Sequence, residues 1–155
     1  MIPLTQNDIL DILDCVMQDI TNRMARIYPC KQNGAPLGDV CTVCTTFEGG
    51  YNANLILYMD TALLTKLTQT TMQEETVSLQ DIEDFMKEYF NVICGHIVAR
   101  LFQAAHISSR FRIPRFYSGL HLPDGAGSLC CVLSYVSGSN ERAQLIHQLP
   151  AHENK

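Results

Sequence analysis

The sequence predicts an α+β fold, an antiparallel sheet with helices packed on it, as a single domain over residues 1–155. A long amphipathic helical pattern occupies the middle of the chain. β-rich runs joined by glycine-containing turns flank this pattern on both sides. The length of 155 residues also matches one domain, since single domains usually have ~100–200 residues. The predicted order of elements is α-β-β-α-α-β-β-β.

The first predicted helix extends from about residue 8 to residue 27. Apolar residues recur there at three- and four-residue steps, which is the pattern of a helix with one buried face. These residues are Ile9, Leu13, Val16, Ile20, Met24 and Ile27. We expect Asn7 to cap the helix, and Pro29 with the polar residues 31–34 to end it in a loop.

A β-hairpin and a short helix are predicted next. Residues 40–47 are rich in Val, Cys and Thr, and residues 51–59 form a second β-rich run. Paired glycines separate the two runs, as in a hairpin turn. Asp60 follows directly and is the expected cap of a short helix that continues to about residue 71.

The long central helix has a recognisable start. Ser78 and Asp81 resemble a capping box in which Asp replaces the usual Glu or Gln. The helical pattern continues to about Ala105, and a helix of this length spans roughly 40 Å.

Three strands are predicted in the last third of the chain. Turn residues separate them at Gly119, at residues 123–125 and at residues 137–140. The tail, residues 151–155, is expected to fray because it is polar. The three strands are residues 111–118, 127–136 and 142–149.

Charge and hydropathy exclude several classes of protein. Eleven Lys and Arg against sixteen Asp and Glu give a formal charge of −5, which disfavours a nucleic-acid-binding protein. No run of ~18 apolar residues is present, so we expect no membrane insertion. The first residues lack the basic and then apolar order of a signal peptide, so we expect a cytoplasmic protein.

The seven cysteines are an odd number without regular spacing, which disfavours a disulfide scaffold. In the cytoplasm they are expected to be reduced. Cys41 and Cys44 have the spacing of a zinc or redox pair, but residues three apart in a strand point to opposite faces. We therefore expect no metal site, and the role of the cysteines is left open.

One face of the central helix carries a narrow polar stripe. Asp84, Glu88, Asn91 and Gly95 fall within an arc of about 60° at helical periodicity. The opposite side carries the expected core residues, which are Ile82, Phe85, Met86, Tyr89 and Ile93. The plain alternative is a solvated helix face. Asn is a poor helix former, however, and Gly95 would let the backbone of a partner approach closely.

The stripe belongs to a longer pattern, because twenty-two residues separate Asn91 from Pro114. The arrangement Asp-x3-Glu-x2-Asn-x22-Pro resembles the signature of the CheC/CheX/FliY family of chemotaxis phosphatases, whose first position is Asp or Ser. Residues 91–95 also resemble the Asn-Met-Ile-Ala-Gly run of CheX proteins. Residues 114–119 resemble their Pro-x4-Gly strand, and the order of elements is similar to CheX over nearly the whole chain.

The resemblance implies an aspartyl-phosphate phosphatase, a hydrolase that acts on a phosphorylated response regulator such as CheY. It implies that Asn91 orients the attacking water and that Glu88 pairs with a lysine of the regulator. Asp84, Gly95 and Pro114 would then bind the partner. In this family Mg²⁺ belongs to the regulator, so the resemblance implies no cofactor or metal of the chain's own.

Two departures from the family pattern concern further residues. CheC and FliY relatives carry two copies of the motif, whereas here Asp19 and Asn22, with Cys15 before them, form only a near match in the first helix. We expect this near match to be structural. CheX proteins often have Asn after the glycine, but this chain has His96, which we expect to be buried or to contact a second subunit.

Two further expectations follow from the resemblance. The competing function is a non-catalytic CheX-like module that binds a receiver domain or another signalling partner without turning it over. CheX proteins form homodimers through their sheets, which implies a homodimer here. Residues 128–136 agree with this, because apolar residues on both sides indicate a strand that is covered on both faces.

Overall fold

The computed structural model describes residues 4–23, 27–29, 39–121 and 130–149. Within these residues the chain forms three helices and seven strands. The predictions for residues 31–34, 123–125 and 151–155, for the strand start at 127–129 and for Met24 lie outside the described residues. The elements are α1 Gln6–Thr21, β1 Ile27–Pro29, β2 Val40–Gly49, β3 Ala53–Asp60, α2 Thr61–Met72, α3 Leu79–Ala105, β4 Ser109–Phe111, β5 Arg115–Ser118, β6 Cys130–Ser137 and β7 Arg142–Gln148.

The strands form one antiparallel sheet, and the helices pack on one of its faces. The strand order is β1-β6-β7-β3-β2, with β4 and β5 both paired to β2. The main core contains buried residues of all three helices together with core-facing residues of β2 and β3 such as Val43 and Leu57. We call the other side the second face; its small cluster contains Cys44, Ile56 and Tyr58. The predicted α+β class is therefore confirmed.

The first helix is shorter than predicted. Thr5, not Asn7, caps it: the Thr5 hydroxyl accepts from the Asp8 N–H at 3.1 Å. The helix ends at Thr21, and the Asn22 side chain then accepts from the Ile27 N–H at 3.1 Å. Ile27 lies in β1, so the prediction that the helix continues to residue 27 was wrong. The Ile27 side chain is buried as expected of an apolar residue, but in a strand that pairs with β6.

The predicted hairpin and short helix are present. β2 and β3 pair from Val40 opposite Asp60 to Phe47 opposite Ala53. Asp60 has the position of the α2 cap, but its side chain makes no cap hydrogen bond. Its Oδ2 instead accepts from the Arg142 N–H at 2.8 Å, which joins the start of α2 to β7.

The central helix α3 confirms its prediction at both ends. The Ser78 hydroxyl accepts from the Asp81 N–H at 3.0 Å, and the Asp81 carboxylate accepts from the Ser78 N–H at 2.9 Å. The helix ends at Ala105. The Tyr89 hydroxyl forms a buried hydrogen bond with the Thr21 hydroxyl, which fixes α3 against α1.

The edge of the sheet differs from the prediction. The single strand predicted at residues 111–118 is two strands, β4 and β5, because residues 112–114 face only two residues of β2. One extra residue in an edge strand produces a bulge. Pro114 has no N–H to donate there, and the Thr45 hydroxyl donates to the Arg112 carbonyl at 2.6 Å.

A buried histidine lies in the core-facing side of β7. His147 is only 2% exposed, and its ring stacks on Tyr51 with centroids 5.8 Å apart. Neither ring nitrogen has a hydrogen-bond partner among the described residues. Burial lowers the pKa of His147 below its ordinary value of 6.5, because the charged form loses its hydration.

We expect His147 to make the fold sensitive to mild acid. Below pH 6.5 the unfolded chain binds a proton that the folded chain excludes, so stability falls as the pH falls from 6.5 towards the lower folded-state pKa. His147→Phe retains the stack on Tyr51 without titrating. Its free energy of unfolding should therefore change less between about pH 7.5 and about pH 5.5 than that of the wild type. His106→Asn, at an exposed helix end, is the control; equal pH dependence in all three proteins would contradict the prediction.

Candidate functional site

The polar stripe is exposed on α3, as predicted. Asp84, Glu88, Asn91 and Gly95 are all exposed, and their three- and four-residue steps place them along one side of the helix. The buried residues of α3, among them Met86 and Ile93, point the other way into the core. The stripe therefore faces solvent because the apolar side of the same helix covers the sheet.

Polar side chains around Glu88 and Asn91 are paired with one another, whereas Glu88 and Asn91 have no partner among the described residues. The Gln80 side chain donates to Asp84 Oδ1 at 2.8 Å. The Lys87 ammonium lies 3.1 Å from the Glu83 carboxylate, so its charge is held beside the stripe and not on it. Among the described residues, the Glu88 and Asn91 side chains form no hydrogen bond or ion pair. Both are therefore available to a partner.

Gly95 leaves a low point on the helix surface one turn beyond Asn91. A Cβ atom at this position would meet no heavy atom within 4 Å, so the packing of the chain does not require glycine here. A partner backbone can approach the helix closely where no side chain projects.

A family model described as the chemotaxis phosphatase CheX matches residues 41–133, more than half of the chain. The chain belongs to the CheX family. The matched region includes the whole stripe and Pro114. No curated protein shows a significant match to this chain.

Solved structures of CheX and FliY proteins share the fold. The chemotaxis protein CheX from Vibrio vulnificus is 16% identical, with a TM-score of 0.77 over 94% of this chain and 99% of that chain. A CheX–CheY–BeF3–Mg²⁺ complex from Borrelia burgdorferi matches with 15% identity and a TM-score of 0.70, over 92% and 95%. FliY from Thermotoga maritima matches with 12% identity and a TM-score of 0.66, over 97% and 93%. At these identities the similarity shows the fold alone.

Pro114, the last residue of the motif, does not lie beside the stripe. It is buried in the bulge between β4 and β5 and lines a cavity of about 640 Å³. That cavity also contains Cys44 and Tyr117, which belong to the second face, and no residue of α3. The structure thus brings four of the five predicted site residues together and places Pro114 elsewhere.

The near match in α1 takes part in structural contacts. The Asp19 carboxylate accepts from Arg100 at 2.6 Å, which joins α1 to α3. Asn22 accepts from the Ile27 N–H. These contacts support the structural interpretation of the near match. His96 is partly buried and lies off the stripe, without a hydrogen bond among the described residues.

Cys41 and Cys44 lie on opposite faces of the sheet. Cys41 is in the main core and Cys44 is in the cluster on the second face. Because they lie on opposite faces, the two sulfur atoms cannot hold one ion. Burial also raises the pKa of both thiols, which disfavours the thiolate form.

A groove beside the stripe was missed by the sequence reasoning. It lies between the start of α3 and the paired strands β2 and β5 and has a volume of about 700 Å³. Its rim carries Leu79 and Leu120, which are 83% and 69% exposed. The only signal in the sequence was the apolar Leu79 at the first position of α3. The other lining residues include Asp39, Gln80, Ile82, Glu83 and Phe116.

We expect Gly95→Ala to stabilise the fold, because alanine is the better helix former by about 1 kcal/mol and the added methyl group meets no other atom. Gly119→Ala is the matched control. Gly119 has a φ of 93°, a conformation that costs other residues about 1–2 kcal/mol, so this variant should be less stable. Chemical denaturation of the three proteins measures both changes. A loss of stability in Gly95→Ala would show that the fold itself requires the glycine.

Proposed function

We propose that this protein removes the phosphoryl group from the aspartate of a CheY-like response regulator, in chemotaxis or another two-component circuit. Membership of a family described as chemotaxis phosphatases supports this activity. The observation that carries the proposal is the exposed carboxamide of Asn91, which is free among the described residues and lies one turn from a free Glu88.

Asn91 has the chemistry that this hydrolysis needs. Phosphoryl transfer requires mainly positioning and charge stabilisation from a catalyst. A carboxamide both accepts and donates hydrogen bonds, so Asn91 can hold a water with its oxygen and contact the phosphoryl group with its nitrogen. The water adds to phosphorus as the bond from phosphorus to the aspartyl oxygen breaks. Inorganic phosphate leaves, and the regulator regains its free carboxylate.

Glu88 and the flanking residues supply the docking. The Glu88 carboxylate pairs with a lysine of the regulator, and it is free to do so because Glu83 holds the neighbouring Lys87. Asp84, oriented by Gln80, extends the contact, and Gly95 lets the regulator backbone approach α3. Pro114 makes no contact with the regulator at the stripe, because it lies in the edge bulge away from α3, and its role is to shape that edge of the sheet.

The metal ion comes with the partner. We propose that the phosphorylated regulator supplies Mg²⁺ and that this chain provides no cofactor. The Borrelia burgdorferi complex contains CheX, CheY, BeF3 and Mg²⁺ together. Among the described residues of this chain, no group of three or more His, Cys, Asp or Glu side chains has the arrangement of a metal site.

No described helix is long and apolar enough to cross a membrane.

His96 favours the second candidate, a non-catalytic module that binds a receiver domain. It follows Gly95, where CheX proteins often have Asn, and it lies off the stripe. In that case the protein would bind a phosphorylated receiver domain without accelerating the release of phosphate.

We expect Asn91→Ala to retain the fold and to abolish the acceleration of phosphate release from a phosphorylated receiver domain. The side chain is exposed, so its loss removes no core contact. Asn7→Ala, another exposed asparagine in a helix, is the control and should keep full activity. The assay measures inorganic phosphate with and without the protein. Undiminished activity in Asn91→Ala would remove this residue from the mechanism.

We also propose a homodimer that forms through the second face of the sheet. Val132 of β6 is 46% exposed there and Tyr28 of β1 is 50% exposed, so apolar surface is left in solvent near that edge. Symmetric pairing of two copies would cover it. The two stripes would then point away from each other and act independently.

Light scattering at micromolar concentration should give about twice the monomer mass of 17.4 kDa. Val132→Glu should shift the mass towards the monomer, because it places a charge in the paired face, and should leave phosphatase activity unchanged. A wild-type mass near 17.4 kDa would exclude the dimer but not the phosphatase activity.

A further inference from the structure

The stripe alone is too small to hold a protein partner. A specific interface usually involves ~20–30 residues on each side, whereas the stripe comprises Asp84, Glu88, Asn91 and Gly95. The docking surface must therefore extend beyond the stripe, and the two ends of α3 are directions in which it can continue. Towards its end the helix exposes Phe102, but this ring packs edge-on against His106 and lines neither the groove nor the cavity on the second face.

Towards its start, α3 meets the groove defined above, which has the features of an anchor site. Residues that contribute most to binding lie in pockets that exclude water. The groove has buried Ile82 and partly buried Phe116 among its lining residues, and Leu79 and Leu120 at its rim. Single exposed leucines are common, but two that border one concave surface of mixed apolar and acidic lining are the arrangement of a binding site.

The rim of the groove is held in place before any partner binds. Gly119 turns the chain with a φ of 93° and presents Leu120. Its N–H donates to the Val40 carbonyl at 2.8 Å, and its carbonyl accepts from the Thr42 hydroxyl at 2.7 Å. On the other side, the capping box of Ser78 fixes the first turn of α3, which carries Leu79.

The groove and the stripe are continuous. Gln80 lines the groove and donates to Asp84 of the stripe at 2.8 Å. Asn91 lies eleven positions after Gln80 in the same helix, a distance of roughly 16 Å along the axis. A folded domain of ~100 residues has a radius of gyration of about 13 Å, so one receiver domain docked at Asn91 also reaches the groove.

The charge of the groove is negative. Its charged lining residues among those described are Asp39 and Glu83. Glu83 is paired with Lys87, whereas the Asp39 carboxylate forms no ion pair within the described residues. The complementary surface is therefore an apolar side chain with a basic residue next to it.

We infer that this groove is the second anchor of the receiver domain and determines which regulator the protein accepts. The inference rests on the proposed function, because the receiver domain is the committed occupant. An apolar side chain of the regulator enters between Leu79 and Leu120, and a neighbouring basic residue meets Asp39. Asn91 supplies the chemistry, and the groove supplies selectivity.

The test measures binding, not turnover. The probe is a fluorescently labelled CheY-like receiver domain loaded with beryllofluoride and Mg²⁺, and its anisotropy is followed as the 155-residue protein is added. The double variant Leu79→Ser with Leu120→Ser should raise the Kd by about tenfold or more, because both side chains are exposed in the free protein and buried in the complex. Asp39→Lys should also weaken binding, through like charges at the contact.

Ile113→Ser is the matched control, since Ile113 is 87% exposed and lines the cavity on the second face. Its Kd should equal that of the wild type. An unchanged Kd in the double variant, or an equal loss in Ile113→Ser, would overturn the inference. Binding without phosphate release in the wild type would refute the proposed phosphatase activity and leave the groove supported.

Discussion

The packing of α3 on the sheet is the constraint on which the rest of the molecule depends. Its buried side includes Met86, Tyr89 and Ile93, and full burial of each large apolar side chain contributes about 1.5–3 kcal/mol. Rotation of the helix by one residue, about 100°, would expose this side and carry charged residues of the stripe towards the core. The same packing that stabilises the domain therefore fixes the stripe in solvent.

The one-sided arrangement of the helices separates the surfaces that we assign to different tasks. The stripe and the groove both involve α3 on the helix-covered side, whereas the surface assigned to dimer contact is the second face. A dimer formed through the second face would leave both stripes open. Changes at Val132 and changes at Asn91 should accordingly act independently, as distant sites usually do.

Local pairing also decides which polar groups are available to a partner. The Glu83 carboxylate pairs with the Lys87 ammonium, and the Gln80 side chain donates to Asp84. Glu88 and Asn91 are the stripe side chains without such a partner among the described residues. Exposed ion pairs contribute little to stability. Their effect here is to keep neighbouring charges away from the two groups to which we assign the reaction and the docking.

The sequence by itself determined the elements whose signals are local. The capping box at Ser78, the helix to Ala105 and the stripe on one side of it depend only on residues within a few turns of each other. Tertiary structure decided the rest. Ile27 lies in a strand because β6 offers it a pairing partner, and residues 112–114 bulge because β2 provides one residue fewer opposite them. The groove joins Leu79 to Leu120, forty-one positions apart, so no sequence period could reveal it.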